Sequence, residues 1–288
     1  MAWTTSERVM AMRARHIAID VGVDTLDGWR RHISGRNASV IAFFGFLSIF
    51  PLMLAATTIL GFVLRDNEDL QQRIIEGALE DIPVIGQELA NNPTAITGNI
   101  WVLLIGLGGA LWSATKAFVL VHIAQDDVWE VHVDHRAAMP VQRGRALLGL
   151  VFMGGAQIAT LAMTTFVAAV ELPIGGRILL YVTALAVNIV VLAAMFHALT
   201  SAQPTWRDVW PGAFPAGFAY LLIQQFGTEI VLRITQNAGD TYGQFALVLG
   251  LVTWLSFLSI SAIMAVELNA AIVRRRDGSL DAVQPPAT

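Results

Sequence analysis

The chain contains no cysteine among its 288 residues, and only 14% of them are Asp, Glu, Lys or Arg. The lack of cysteine excludes disulfides, thiolate catalysis and cysteine-bound metals. The scarcity of charge argues against a soluble domain, as do the 55% hydrophobic content and the mean hydropathy of +0.61. The net charge of −4 leaves no basic face, so we predict no nucleic-acid partner.

Enzyme motifs are also missing from the sequence. There is no Walker A loop, no H-E-x-x-H and no G-x-S-x-G elbow. The stretch V-H-V-D-H, with His132, Asp134 and His135, is a weak metal signal because a short loop offers these residues no further ligand. We therefore expect no enzymatic activity, no metal and no cofactor. The amino-terminal region lacks the pattern of a cleaved signal peptide, so the first apolar segment is expected to serve as an uncleaved one.

What the chain does have is six long apolar segments separated by polar loops. Each can cross a hydrocarbon layer of roughly 30 Å, which takes about 20 helical residues. Backbone polar groups at that depth must be satisfied within the segment, so we predict an all-α integral membrane protein with six transmembrane helices. The predicted spans are 41–64, 100–124, 147–170, 178–200, 214–232 and 245–273.

The positive charges predict the orientation. Most of the 18 Lys and Arg residues fall on one side of the membrane if the amino terminus is cytoplasmic, so both termini are predicted to lie in the cytoplasm. The chain then divides into a cytoplasmic amphipathic segment 1–37, a transmembrane domain 38–273 with an outer amphipathic loop 65–97, and a cytoplasmic tail 274–288. The apolar residues of segment 1–37 recur at helical spacing, which is typical of a helix on a membrane surface. These residues are Met12, Ile19, Val23, Leu26, Trp29 and Ile33.

Few ionisable residues lie within the predicted spans, and two of them have opposite charge. Lys116 lies ten residues before Asp126, and Glu267 lies seven before Arg274, which puts both about 10–15 Å from the cytoplasmic boundary. Their helices run in the same direction, so we hypothesise that Lys116 and Glu267 pair across a central cavity. A purely structural ion pair and a substrate or proton site are both open.

Uncharged polar residues extend this picture. Trp112 precedes Lys116 by one helical turn, and amide side chains occur in four places within the spans. Together they predict a polar cavity, although the glycines and serines nearby are typical of helix packing. The amides are Gln157, Asn188, Gln224 and Gln225.

Several stretches resemble the YihY/BrkB family of bacterial inner-membrane proteins, formerly mislabelled ribonuclease BN. The first span, FFGFLSIFPLMLAATTILGF, is similar to the family's Y-x-x-L-x-S-x-F-P signature, with phenylalanine in place of tyrosine. LWSATKAFVLVHIAQDDVWEVHVDHR matches a W-S … W-x-V … R pattern. PGAFPAGF, TYGQFALVLGLVTWLSFLS and AVELNA resemble the family's P-G, Y-G-x-x, W-L and G-A-E-L-N elements. Ala265 and Val266 depart from the family's G-A.

The resemblance implies a six-helix protein of the bacterial inner (plasma) membrane, most similar to the YhjD-like branch, which is linked to export of lipid intermediates. The family positions expected to matter are Ser48, Pro51, Trp112, Lys116, Tyr242, Gly243, Glu267 and Asn269. Structural roles remain open for some of them: Pro51 could kink the first span, and Tyr242-Gly243 could form a turn.

Three functions are therefore carried forward. The first is movement of a lipid or other amphiphile across or within the membrane, with membrane lipids as partners. The second is a gradient-driven carrier of a small solute or ion that uses Lys116 and Glu267 as a coupling pair. The third is a non-transporting envelope scaffold. The sequence leaves open whether the chain forms a homo-oligomer.

Overall fold

The computed structural model describes residues 6–63, 100–168, 174–223 and 245–277. Within these ranges the chain is helical, with one 3-10 turn at Val133–His135 and no strand, which confirms the predicted all-α class. The predicted outer loop 65–97 lies outside the described residues. The helices are α1 (Glu7–Arg15), α2 (Ile17–Arg31), α3 (Ser34–Val63), α4 (Ile100–Val128), α5 (Met139–Ala168), α6 (Ile174–Ala198), α7 (206–223) and α8 (Phe245–Arg276).

The long helices continue past the predicted apolar spans into polar sequence. Helices α3, α4, α5 and α8 are 30, 29, 30 and 32 residues long, whereas about 20 residues cross a hydrocarbon layer. Among the described residues, Leu104–Val128 and Val248–Arg276 are long and apolar enough to span a membrane. The arrangement of all six spans stays a prediction.

The polar extensions meet at one end of the bundle, here called the arginine end because α8 finishes there with Arg274, Arg275 and Arg276. Buried Asp126 at the end of α4 accepts hydrogen bonds from Ser201 N at 2.6 Å and Thr200 Oγ1 at 2.9 Å. These two residues follow α6, and Arg145 of α5 donates to the Thr200 carbonyl at 2.8 Å. The end of α4, the start of α5 and the residues after α6 therefore lie together, so α4, α5 and α6 run in alternating directions.

Helix α7 begins at the arginine end with a capping box. Thr205 N and Thr205 Oγ1 both donate to Asp208 Oδ2, at 2.9 and 2.6 Å, which satisfies a backbone donor at the helix start. Arg276 Nη1 donates to Asp208 Oδ1 at 2.6 Å. Burial alone would raise the pKa of the Asp208 carboxyl, but the Thr205 hydrogen bonds and Arg276 outweigh it and lower that pKa below 3.8.

The amino-terminal segment is helical, but it is not one continuous helix. It forms two helices, since His16 is extended (φ −133°, ψ 113°), and Ile33 has a left-handed φ of 53° between α2 and α3. Helix α2 packs against the end of α8 rather than only covering a membrane surface. Of the predicted apolar stripe, Val23 is buried, whereas Leu26 and Ile33 are 43% and 51% exposed. The buried residues of α2 are Val21, Val23, Asp24, Thr25 and Gly28.

The interior and the exterior of the bundle have different residues. Much of the buried core is alanine, which lets helix backbones approach closely. Large apolar side chains cover the outside instead: Trp101 and Ile105 of α4 and Leu148 and Val151 of α5 are 70–72% exposed. An apolar patch of this kind is costly in water and favourable against lipid. The buried alanines are Ala38, Ala42, Ala110, Ala117, Ala124, Ala146, Ala184, Ala193, Ala213, Ala216, Ala265, Ala270 and Ala271.

Candidate functional site

A fully buried carboxylate lies at the arginine end of the bundle. Glu267 of α8 has no exposed surface, and its Oε1 accepts a hydrogen bond of 2.6 Å from Ser34 Oγ. His32 Nδ1 lies 2.9 Å from Oε1 and 3.1 Å from Oε2. An ionised carboxylate removed from water needs such partners, since burial without them is expensive. The residues before and at the start of α3 thus supply the groups that stabilise Glu267.

His32 connects this buried carboxylate to a more exposed one. The His32 side chain is 7% exposed, and its Nε2 lies 3.3 Å from Oε1 of Glu130, whose side chain is 53% exposed. Arg31 Nε is also 3.3 Å from His32 Nε2, and Arg31 Nη2 pairs with Glu130 at 2.9 Å. A neutral imidazole can donate from Nδ1 to Glu267 and accept from Arg31, whereas a protonated one donates to both carboxylates. Both protonation states of His32 therefore have partners in this arrangement.

Arg274 joins the cluster from the last turn of α8. Its Nε and Nη2 donate to Asp24 Oδ2 at 3.1 and 2.9 Å, and its Nη1 lies 3.9 Å from Glu130 Oε1. Asp24 is 5% exposed. Gly28 of α2 faces the Glu267 carboxylate, and a Cβ on Gly28 would overlap Glu267 Oε2. Helix α2 can lie this close to Glu267 because Gly28 has no side chain.

An apolar cavity of about 210 Å³ lies next to the cluster, inside the bundle. On α8 its lining ends at Ile263, and Glu267 follows one helical turn later, about 6 Å along the axis. Ser259 and Tyr220 carry its only polar side-chain atoms among the described residues. This space is apolar, with the polar groups collected beside it, and the predicted polar cavity stays a prediction.

The structure does not pair Lys116 with Glu267, so this prediction is wrong. Lys116 is exposed, and its Nζ lies 5.0 Å from the ring centroid of Trp112 and 5.5 Å from that of Phe44. These are cation–π distances. Lys116 thus lies on the surface between α3 and α4, while the described partners of Glu267 come from His32 and Ser34.

Two other family positions have identifiable contacts. Asn269 is fully buried, and its Oδ1 accepts a hydrogen bond of 2.6 Å from Gly212 N while its Nδ2 donates to the Val209 carbonyl at 3.1 Å. It therefore holds the start of α7 against α8. Ser48 Oγ donates to the Gly45 carbonyl at 2.6 Å, within its own helix.

The remaining predicted positions are not brought into the cluster. Trp112 is 62% exposed, and Asn188 is buried on α6. Pro51 lies within α3 and Gln157 within α5. Tyr242 and Gly243 lie outside the described residues.

The residues that the sequence interpretation missed are His32, Ser34, Asp24 and Gly28. The signal available was the row Val21, Asp24, Thr25 and Gly28, which has the spacing of one helix face. That face is polar and small, so a search for apolar periodicity passes over it.

A second row of buried polar groups lies on α4. His122 and Gln125 have no exposed surface, and Gln125 Nε2 lies 3.5 Å from the Met195 carbonyl. Within the described chain, both ring nitrogens of His122, Gln125 Oε1 and Trp129 Nε1 have no hydrogen-bond partner.

The V-H-V-D-H loop is exposed. The side chains of His132 and Asp134 are 72% and 83% exposed. Among the described residues, no three potential metal ligands cluster together.

Long apolar helices and an exterior of exposed apolar side chains are typical of a helical integral membrane protein. The family comparison then identifies which one: residues 25–287 match the profile of the family described as "Virulence factor BrkB", and the chain belongs to that family. The resemblance to YihY/BrkB proteins is thereby confirmed.

Individual relatives agree with the family match. The chain is 25% identical over 211 residues to the inner membrane protein YhjD of Escherichia coli, an alignment that covers 71% of this chain and 57% of YhjD. It is 24% identical over 271 residues to the putative ribonuclease-like protein YfkH of Bacillus subtilis, covering 85% of this chain and 92% of YfkH. No solved structure matches the chain.

Proposed function

We propose that this chain is a six-span protein of the bacterial inner membrane that moves a lipid or other amphiphile across or within the bilayer. The observation that carries the proposal is the apolar cavity of about 210 Å³ with a buried polar cluster one helical turn away. An amphiphile has the same two parts, an apolar chain and a polar head. The cavity is of the size at which enclosed apolar space binds small hydrocarbons.

The proposed orientation places the arginine end, and both termini, in the cytoplasm, in agreement with the distribution of positive charge. The absence of native cysteine makes this easy to test. Single cysteines at Asn91 and Ser279 should react with an impermeant maleimide from opposite sides of the membrane. Labelling of both from the same side would contradict the topology.

Lipid movement can be tested by filling the cavity. Gly45 lines it, and a Cβ there would meet only Leu255, at 3.9 Å. Gly45→Leu should therefore fill the cavity without disturbing the backbone. Gly108→Leu on α4 is the matched control, because a Cβ there meets nothing within 4 Å.

The assay is transbilayer movement of a fluorescent phospholipid in vesicles that contain the purified protein. We expect activity for the wild type and Gly108→Leu, and a loss of at least fivefold for Gly45→Leu with an unchanged elution profile. No movement with the wild-type protein, or equal movement with Gly45→Leu, would reject the lipid proposal.

A second candidate function is proton-linked carriage, which is favoured by the His32 bridge rather than by the pair first predicted. His32 lies between buried Glu267 and exposed Glu130, and each imidazole nitrogen can either donate or accept a hydrogen bond. The other groups facing this bridge are the Ser34 hydroxyl and the guanidinium groups of Arg31 and Arg274, the latter paired with Asp24.

The two candidates separate in one experiment. Proton-linked carriage predicts that an imposed pH gradient changes the rate of phospholipid movement in vesicles that contain the wild-type protein. It also predicts that His32→Gln abolishes this dependence. Lipid movement without proton coupling predicts the same rate with and without the gradient, in both proteins.

A further inference from the structure

An open groove of about 720 Å³ runs between α2 and the last turns of α8, on the outside of the bundle. Ile17, Val21 and Gly22 line its α2 side, and Leu268 and Ile272 line its α8 side. Ile17 is 68% exposed, so the apolar wall faces outward. This groove is separate from the apolar cavity inside the bundle, and the two share no lining residue.

One end of the groove carries guanidinium groups. Arg275 and Arg276 complete its lining. Arg275 pairs with Asp20, and the same carboxylate receives Arg13 Nε at 2.7 Å. Two guanidinium groups therefore share the Asp20 carboxylate, so neither has that carboxylate to itself.

Arg276, at the rim of the groove, has N–H donors that its two ion pairs do not use. It uses Nη1 for Asp208 at 2.6 Å and Nε for Asp277 at 3.1 Å, and its Nη2 takes part in neither bond. A guanidinium group has five N–H donors in a planar fork that matches phosphate oxygens. Both arginines can therefore bind a phosphate while their internal ion pairs remain.

We propose that this groove binds one anionic phospholipid. The acyl chain lies along Ile17, Val21, Leu268 and Ile272, and the phosphate lies at Arg275 and Arg276. The apolar run of α8 ends at Val273, so the arginines follow directly where hydrocarbon gives way to head groups. Basic pockets beside membrane helices at that level bind acidic lipid head groups. The proposal needs only the membrane location and does not depend on whether the protein transports a lipid.

Gly22 offers a direct way to fill the groove. A Cβ at Gly22 meets no atom within 4 Å, and its backbone has an ordinary φ, so a large side chain can project into the groove. The variants are Gly22→Phe and the smaller Gly22→Leu. Gly144→Phe is the matched control, since Gly144 also has open space around its Cβ and lies on α5.

The charge is tested separately. Arg275→Gln and Arg276→Gln are combined in one protein, in which Asp20 keeps Arg13 as a partner. Arg143→Gln is the control, because Arg143 is exposed on α5 and lies outside the groove lining.

The experiment is native mass spectrometry of the full-length protein in detergent. The protein is titrated with dioleoyl phosphatidylglycerol, with dioleoyl phosphatidylcholine, or with glycerol phosphate, which carries the anionic head without acyl chains. We expect one phosphatidylglycerol molecule per chain, at least fivefold weaker binding to phosphatidylcholine, and no binding of glycerol phosphate. Gly22→Phe, Gly22→Leu and the double arginine variant should each weaken phosphatidylglycerol binding at least fivefold, while both controls bind as the wild type does.

Three results would overturn the proposal. Wild-type affinity in correctly folded Gly22→Leu and Gly22→Phe would show that the lipid binds elsewhere. Equal affinity for phosphatidylcholine would remove the role of the arginines. A dimer in the wild type that becomes a monomer in Gly22→Phe would show that the groove holds a second copy of the chain instead.

Discussion

Gly28 of α2 lies so close to Glu267 of α8 that a Cβ on it would overlap Glu267 Oε2. The same Cβ would lie 3.3 Å from Glu267 Cδ and 3.4 Å from Arg274 Nη2. Since Glu267 is fully buried, it has little room to move. The contact makes α2 part of the helical bundle.

We therefore expect Gly28→Ala to destabilise the protein by about 1–3 kcal/mol, because overpacking forces side chains off their preferred geometry. Gly22→Ala on the same helix is the control: its Cβ has open space, so removing a helical glycine should stabilise by about 0.4–1 kcal/mol. Thermal unfolding in detergent measures both. Equal melting temperatures for the two variants would contradict the described contact.

Lys116 and Glu267 should behave as independent residues. Lys116 contacts the rings of Trp112 and Phe44, whereas Glu267 contacts His32 and Ser34. Effects of residues without shared partners add within about 0.5 kcal/mol. A double-mutant cycle with Lys116→Ala and Glu267→Gln should therefore give a coupling energy near zero. Stability restored in the double variant would reinstate the direct pair.

Asn269 and Ser48 should differ in their effect on stability, although both match family motifs. Asn269→Leu removes two hydrogen bonds that join α7 to α8, which should cost about 1–3 kcal/mol. Ser48→Ala removes a bond within one helix and should change stability by less than about 0.5 kcal/mol. The measurement is the unfolding midpoint in a denaturing detergent series. A larger loss for Ser48→Ala would show that Ser48 has a further structural contact.

Asp208 should make the arginine end acid-labile. Its folded-state pKa is lowered, with the Thr205 hydrogen bonds and Arg276 outweighing the effect of burial. A carboxyl of lowered pKa contributes stability that is present above its ordinary value of 3.8 and is lost as the pH falls through the lower folded-state pKa. Wild-type protein should thus lose part of its stability in that acid range. Asp208→Asn should lack this component, and an unchanged acid profile in the variant would contradict the assignment.

Lipid co-purification tests the role of Lys116 without a transport assay. Protein extracted in polymer nanodiscs should retain a lipid that is enriched over the bulk membrane. If the cation between α3 and α4 helps to hold a lipid head, Lys116→Ala loses that lipid and Arg143→Gln keeps it. Identical lipid profiles in the wild type and Lys116→Ala would exclude Lys116 from lipid binding.

The helices were predictable because their signal is local. The predicted span 245–273 and the observed α8, Phe245–Arg276, differ by three residues, since a long apolar run leaves the backbone no alternative to a helix. The beginning of α5 at Met139 precedes the predicted span because its first turns, MPVQRGRA, contain polar residues and so do not form a long apolar run.

The partners of Glu267 could not be predicted from the same pattern. Counting residues from a boundary gives the depth of Lys116 and Glu267, but not the rotation of either side chain about its helix axis. His32 is 235 residues away in sequence from Glu267, and nothing local connects the two. The docking face of α2 mixes Val21 with Asp24, Thr25 and Gly28, so hydrophobic periodicity does not identify it.

The contact between α2 and α8 also sets an order of events during synthesis. At about 5–20 residues per second, the 235 residues between His32 and Glu267 take on the order of 10–50 s to translate. During that time the contact face of α2, which includes Asp24 and Gly28, has no α8 to pack against. A chain cut short before Glu267 therefore lacks the contact that holds α2 against α8.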